Sequence, residues 1–172
     1  MSDVPDTIQS EQVHIRTYEP ADQPAVSHLY VNGLLAGQIP TNDTGADIEM
    51  IEEAYLNAEK ANFWVAVFED RVVGMVGVAE DEPNVAEVRR LRVEQDLQGR
   101  GIGRMLMEAA LGFCRHHGYL KVRLDTRIEK DTASDLFDRF GFQHHRSRDV
   151  PGKELLEFYL DLYRDPKPEE EG

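Results

Sequence analysis

Residues 97–104 read LQGRGIGR: Gly99, Gly101 and Gly103 alternate with Arg100 and Ile102, Gln98 precedes them, Arg104 follows, and an apolar helical run starts directly behind. Glycine tolerates positive φ and lets a ligand approach the backbone closely, while the first N–H groups of a helix form the positive end of its dipole. A phosphate group is the guest such a turn suits, and the arginines would add charge to a site built mainly of amides. The same residues would also make a plain tight connection with its arginines in water, because a glycine-rich turn alone is a weak signal. Spacing rules out the commoner nucleotide loops. No Lys-Ser or Lys-Thr follows as a Walker loop requires, and the final glycine of a G-x-G-x-x-G fingerprint falls on Arg104 or Leu106. Asp125 stands about where a ribose-binding acid would, yet three strands and two helices before the turn are not how a dinucleotide unit begins.

The strand leading into the turn is VAEVRRLRV, residues 85–93. Ala86 and Val88 are apolar at even positions and Leu91 and Val93 at odd ones, so the inward parity switches within Val88 to Leu91. A β-bulge does this by inserting one residue, and it would leave backbone groups at Leu91 to Val93 unpaired for a ligand. An arginine snorkelling at an even position does it without a bulge. Arg89, Arg90 and Arg92 either reach phosphates or balance nearby acids. The adjacent pairs His116-His117 and His144-His145 lack the spacing of a shared metal site and read as surface or capping residues, so no metal is expected. Trp64, Phe63 and Phe68 are expected in the core rather than in an aromatic cage.

Periodicity supplies the elements that must hold these residues. VHIRTY (13–18) reads as a strand, and Pro20 with Asp22 opens a helix carrying Val26, Leu29, Tyr30 and Leu34. After a loop at 37–45, Ile48, Ile51, Ala54 and Tyr55 mark one stripe of a helix over 47–60. Strands are expected at 63–68, 71–79 and 85–93, joined by a Glu69-Asp70 turn and a DEPN breaker at 81–84. Behind the glycine turn, Ile102, Met105, Leu106, Ala109, Ala110 and Phe113 give the strongest helical pattern, closed by His117-Gly118. A strand at 121–126, a helix opened by Asp131 and stopped by Gly141, and a last strand at 155–163 complete a mixed α/β order of the α+β type.

At 172 residues, 41% hydrophobic and 30% charged, the chain has the size and balance of one soluble domain. We place that domain at 13–163, between disordered acidic tails at 1–12 and 164–172. No apolar run approaches the roughly 20 residues of a membrane span, and the N-terminus lacks a signal-peptide pattern, so no membrane partner and a cytoplasmic location are expected. The single Cys114 excludes an intrachain disulfide and is expected to pack. A formal charge of −14 argues against nucleic acid as a partner and mildly favours a cationic acceptor. Monomer and homodimer are both open.

Gln98, Gly101 and Gly103 match the Q/R-x-x-G-x-G/A signature, and in this respect the chain resembles the GNAT superfamily of N-acetyltransferases. The resemblance extends over the opening strand and helix with EPAD, the FWVAVFEDRVVGMVGV hairpin, EVRRLRV and ASDLFDRFGF, about residues 13–163. It implies a bulged, splayed, mostly antiparallel sheet flanked by helices, and transfer of an acetyl group from acetyl-CoA to a primary amine by direct attack in a ternary complex. It implies that the turn, from Gln98 and Gly99 through Arg100, Gly101, Ile102 and Gly103 to Arg104, binds pyrophosphate, and that Leu91, Arg92 and Val93 pair with the pantetheine arm. Glu87, eleven residues before Gln98, resembles the catalytic glutamate of histone acetyltransferases; it equally suits a structural acid paired with an arginine. A free N–H at Val93 is the expected donor to the developing oxyanion.

Many members carry a tyrosine in A-x-x-L-Y-x-x-x-G-F, where this chain has Phe137, which cannot donate a proton. Tyr159 or Tyr163 would then serve as the acid, or the thiolate leaves unprotonated to solvent, or the protein is a weak catalyst. The acceptor, a small-molecule or peptide amine, is expected across the sheet near 37–45 and the last strands. The rival from another class is a non-catalytic acyl-CoA-binding sensor or interaction module of the same fold; a nucleotide-binding oxidoreductase is a second. Gly101→Asp should abolish coenzyme A binding in calorimetry by setting a carboxylate against the pyrophosphate, and unchanged affinity would contradict the site.

Overall fold

The computed structural model describes residues 12–34, 39, 43–124, 138–150 and 153–162. The expected helix over 131–140 with Phe137, Asp125, most of the loop at 37–45, Tyr163 and the tails lie wholly or mainly outside them. Seven strands form one sheet: β1 (Val13–Thr17), β2 (Asn62–Phe68), β3 (Arg71–Glu82), β4 (Val85–Val93), β5 (Lys121–Leu124), β6 (Gln143–Val150) and β7 (Lys153–Asp161). Their order is β1-β2-β3-β4-β5-β7-β6. All neighbours are antiparallel except β4 and β5, which are parallel. The long α-helix between those two supplies the crossover a parallel pair requires.

Each face of the sheet has its own core. On one face lies the helix that follows the glycine turn, Ile102–His116, where Ile102, Leu106, Met107, Ala110, Leu111 and Cys114 are buried against Ala86, Val88, Leu91 and Val93. Its neighbours Arg104, Glu108 and Arg115 are exposed, and the buried face is turned slightly from the stripe read in the sequence: Met107, Leu111 and Cys114 are buried with Ile102, Leu106 and Ala110, while Met105, Ala109 and Phe113 are half-buried. On the other face, α1 (Gln23–Asn32) and a short helix α2 (Ala46–Glu49) bury Val26, Leu29 and Ile48 against Phe63, Val65 and Met75. The Ile102–His116 helix is α3.

The strand reading holds with three corrections. The helix expected over 47–60 is two pieces: α2 ends at Glu49, Met50 leaves helical geometry at φ −135, and a wider turn over Glu52–Leu56 follows, closed by Asn57 N–H to Glu52 O. That turn seats Ile51 and Tyr55 together in the core. The third strand runs on to Glu82, and the reversal is made by Pro83 and Asn84, the latter at φ 66. The strand β6 has no counterpart in the periodicity, because QHHRSRDV is polar up to its last residue, Val150, and the strand lies at the edge of the sheet. Glu69 and Asp70, at φ 51 and 61, make the expected tight turn, and Phe63, Trp64, Phe68 and Cys114 are core residues.

The parity switch in β4 is a bulge. Gly77 pairs with Arg89 and Met75 with Arg92, so Arg90 and Leu91 together oppose Val76, and Arg90 sits at φ 59. One extra residue puts Ala86, Val88, Leu91 and Val93 all on the α3 side. Among the described residues Val88, opposite Leu124, is the last of β4 to pair with β5, and β4 continues for five more residues, Arg89–Val93. The helix depends on the buried stripe that packs there: Leu106→Ala should lower the unfolding free energy by about 2–5 kcal/mol in urea denaturation, as expected for an emptied core site.

Candidate active site

The turn between β4 and α3 has the backbone an anion needs. Gly99 and Gly101 have φ values of 78 and 96, and among the described residues a Cβ on either would meet nothing within 4 Å. Only glycine adopts this conformation cheaply, and the space beside it is open. Gly101 caps α3, its carbonyl accepting from Met105 N–H at 3.1 Å, so the free N–H groups of the helix's first turn open onto the same space. Ile102 is buried and anchors that turn; Gly103 follows it within the helix. Arg100 is half-buried, and Arg104 is exposed and bonds Glu108 one turn on at 3.1 Å. The fit to a phosphate-bearing cosubstrate rests on backbone geometry more than on arginine charge.

The edge of β4 differs from expectation. Val93 N–H donates to Gly33 O at 3.0 Å, so the group expected to be free for an oxyanion is engaged. Gln98 Nε2 donates to Val93 O at 3.0 Å and Leu34 O at 2.9 Å, placing this signature side chain on backbone carbonyls. The cause is the close approach of the end of α1 to β4: a Cβ on Gly33 would lie 2.8 Å from Leu29 O and 3.1 Å from Arg92 Cβ. Leu91 points into the α3 core, and its carbonyl accepts from Arg92 Nη1 at 3.2 Å. Nothing local in the sequence marks the bonds of Val93 to Gly33 and of Gln98 to Leu34, the latter pair standing 64 residues apart.

The opposite face of β4 is lined with charge. Glu87 accepts from Arg89 Nε at 2.5 Å. Arg90 is buried and makes two bidentate pairs, with Asp43 at 2.5 and 3.0 Å and with Asp47 at 2.5 and 3.0 Å. Tyr55 donates to Asp47 at 2.6 Å, and the guanidinium carbons of Arg90 and Arg92 lie 5.1 and 5.7 Å from the centre of the Tyr30 ring. Burial opposes the charge of Asp47, but the bonds from Arg90 and Tyr55 outweigh it and hold the carboxyl below its ordinary range. Burial likewise works against charge on Arg89, and its bond to Glu87 reverses the balance. The three arginines therefore balance acids or bind backbone. Asp43, Asp47, Tyr30 and Tyr55, absent from the sequence candidates, carry this layer. Removing one partner of such a buried pair typically costs about 3–5 kcal/mol.

Glu87 and Tyr159 share one row of the sheet. Glu87 pairs with Arg123, Arg123 with Tyr159 and Tyr159 with Gln143, so the four lie side by side on one face. Two strand spacings, about 10 Å, separate Glu87 from Tyr159. Arg123 between them bonds Asp81 at 2.6 Å, and the Tyr159 hydroxyl donates to Gln143 at 2.9 Å.

A bulged strand, a left-handed glycine turn and an amphipathic helix in succession accord with the match of residues 31–142 to the Acetyltransferase (GNAT) family. The chain belongs to this family. It is 35% identical over 113 residues to N-acetylaspartate synthetase of Rattus norvegicus, a stretch covering 63% of this chain and 38% of that protein. The matched stretch thus spans little more than a third of that relative. Among solved structures, the chain is similar to an acetyltransferase of the GNAT family from Staphylococcus aureus Mu50, with a TM-score of 0.73 and 20% identity, covering 87% of this chain and 99% of that one. It is also similar to the PaiA N-acetyltransferase from Thermoplasma acidophilum in complex with coenzyme A, with a TM-score of 0.67 and 17% identity over 87% and 98%. These likenesses establish the fold, and the oxidoreductase alternative is set aside.

The Gln98 clamp has a measurable worth. Gln98→Ala removes donors from two backbone carbonyls and should lower the unfolding free energy by about 1–2 kcal/mol in urea denaturation.

Proposed function

We propose that the chain is an acetyl-CoA-dependent N-acetyltransferase whose acceptor is a small primary amine that also carries a carboxylate. The observation that carries the first part is the turn at Gly99–Gly101, left-handed and open, at the N-terminus of α3 and directly after a bulged strand. In this reading the pyrophosphate lies over the amides of Gly99, Gly101, Ile102 and Gly103, with Arg100 and Arg104 at its margin, and the pantetheine arm follows Leu91–Val93. The arm then replaces the Gly33 carbonyl at Val93 N–H, while Gln98 sets the loop rather than touching the anion. Acetyl-CoA supplies the activated acyl group.

The residues of the chain have to deprotonate and orient the amine. An alkylammonium with a pKa near about 10 is charged at neutral pH and must lose a proton before its nitrogen forms the new C–N bond as the C–S bond breaks. Glu87, partly exposed and held by Arg89, takes that proton through water. Thiols titrate near about 8.5, so the thiolate is a competent leaving group and needs no side-chain acid. Tyr159 then serves the Glu87 row as a hydrogen-bond donor to Gln143 and transfers no proton.

The Glu87–Arg89 pair also supports the acceptor class. A negative and a positive side chain two residues apart on one strand face present to a zwitterion a counter-charge for each of its own charges. Arg89 is bound to Glu87 through Nε and also to Tyr55, and a carboxylate would take the guanidinium donors that these two bonds do not use. The name of the rat relative points the same way, and this local pair outweighs the net acidity of the surface. No described helix is long and apolar enough to cross a membrane, and a buried, unpaired Cys114 accords with a reducing, cytoplasmic setting.

Release of free coenzyme A thiol from acetyl-CoA tests the reading on matched acceptors, L-aspartate and other L-amino acids against their α-amides. Turnover should appear and favour the free carboxylates. Arg89→Met should erase that preference through KM, and Glu87→Gln should lower kcat about 100-fold, most at low pH, with coenzyme A affinity unchanged. Coenzyme A binding without turnover of any primary amine would establish the sensor instead.

A further inference from the structure

Resting on the cosubstrate reading above, we propose that Arg90 is a positioning residue that couples the donor edge of β4 to the acceptor-side segment 43–47. Its backbone is the left-handed residue of the bulge, at φ 59, a conformation that L side chains with a long stem adopt only when their surroundings impose it. Glycine or asparagine would fit that backbone at less cost. An arginine stands there because its side chain reaches across to Asp43 and Asp47, with Nε, Nη1 and Nη2 all engaged and the head group only 7% exposed. Asp47 is held in turn by the Tyr55 hydroxyl, and the Arg90 head group lies against the ring of Tyr30 on α1.

The two ends of this one residue therefore belong to different sites. Its backbone fixes the direction in which Leu91, Arg92 and Val93 leave the bulge, and that edge receives the pantetheine arm. Its guanidinium fixes where the chain re-enters helical structure after the acceptor-side loop. A ligand that straightens or locks the β4 edge acts through Arg90 on Asp43 and Asp47, and by linkage an acceptor that orders 43–47 favours the donor-competent bulge. The Arg90 fork, rather than its charge, carries the coupling, because two bidentate carboxylates must be held at once.

Amide hydrogen exchange on the full chain with saturating coenzyme A tests this. In the wild type, coenzyme A should slow exchange in peptides covering 43–49 at least tenfold. Arg90→Lys should still bind coenzyme A in calorimetry but show less than twofold slowing there. Tyr55→Phe keeps Arg90 and loosens only Asp47; it should show intermediate slowing, and it keeps the test open should the Arg90 variant fail to fold. Unchanged exchange at 43–49 in the wild type with coenzyme A bound would overturn the coupling alone, as would full slowing in the folded lysine variant or undiminished slowing in Tyr55→Phe. Failure of the wild type to bind coenzyme A would overturn the cosubstrate reading and the coupling with it.

Discussion

The clasp of Asp43 and Asp47 on the Arg90 guanidinium holds a backbone turn that its own φ disfavours, and both the end of β4 and the start of α2 are tied to that turn. A non-glycine residue in the left-handed region costs about 1–3 kcal/mol, and it persists only where the surroundings over-determine it. Here they do so through four charge-assisted hydrogen bonds shielded from water. The extra residue rotates the rest of β4, so that Leu91 and Val93 join the core under α3 while Arg92 reaches α1 at Tyr30. From there the chain enters the glycine turn with its amides toward open space.

A second constraint acts on the other edge of the same strand. Gly33 ends α1 so close to Arg92 that a side chain has no room, and its carbonyl takes the Val93 N–H. Gln98 then closes the corner by binding Leu34 and Val93 carbonyls together. Gly33–Leu34 and Asp43 are thus each bound to β4 or the turn beyond it. This geometry ties the end of α1, β4 and the segment that begins at Asp43 into one structure.

Much of this was legible in the residues. The glycine turn, the α3 stripe, the hairpins and the switch of parity in β4 all follow from local spacing, and the structure resolves the switch as a bulge at Arg90. What escaped was non-local. The polar strand β6 has no alternation to announce it, and its place is set by β7 beside it. The helix over 47–60 is broken at Met50, where Asp47 meets both the Tyr55 hydroxyl and Arg90, the latter 43 residues away in sequence. Val93 N–H and Gln98 looked available because their partners on α1 are distant in sequence. Glu87 was recognisable as a candidate base or an arginine partner, and the structure shows the pairing.

A crystal structure with bound coenzyme A tests the central claim most directly. The account predicts the pyrophosphate over the amides of Gly99–Gly103 and the pantetheine arm bonded to Leu91–Val93, with Gly33 O displaced from Val93 N–H. Coenzyme A bound away from that turn, or an arm that leaves the Gly33–Val93 bond intact, would contradict it.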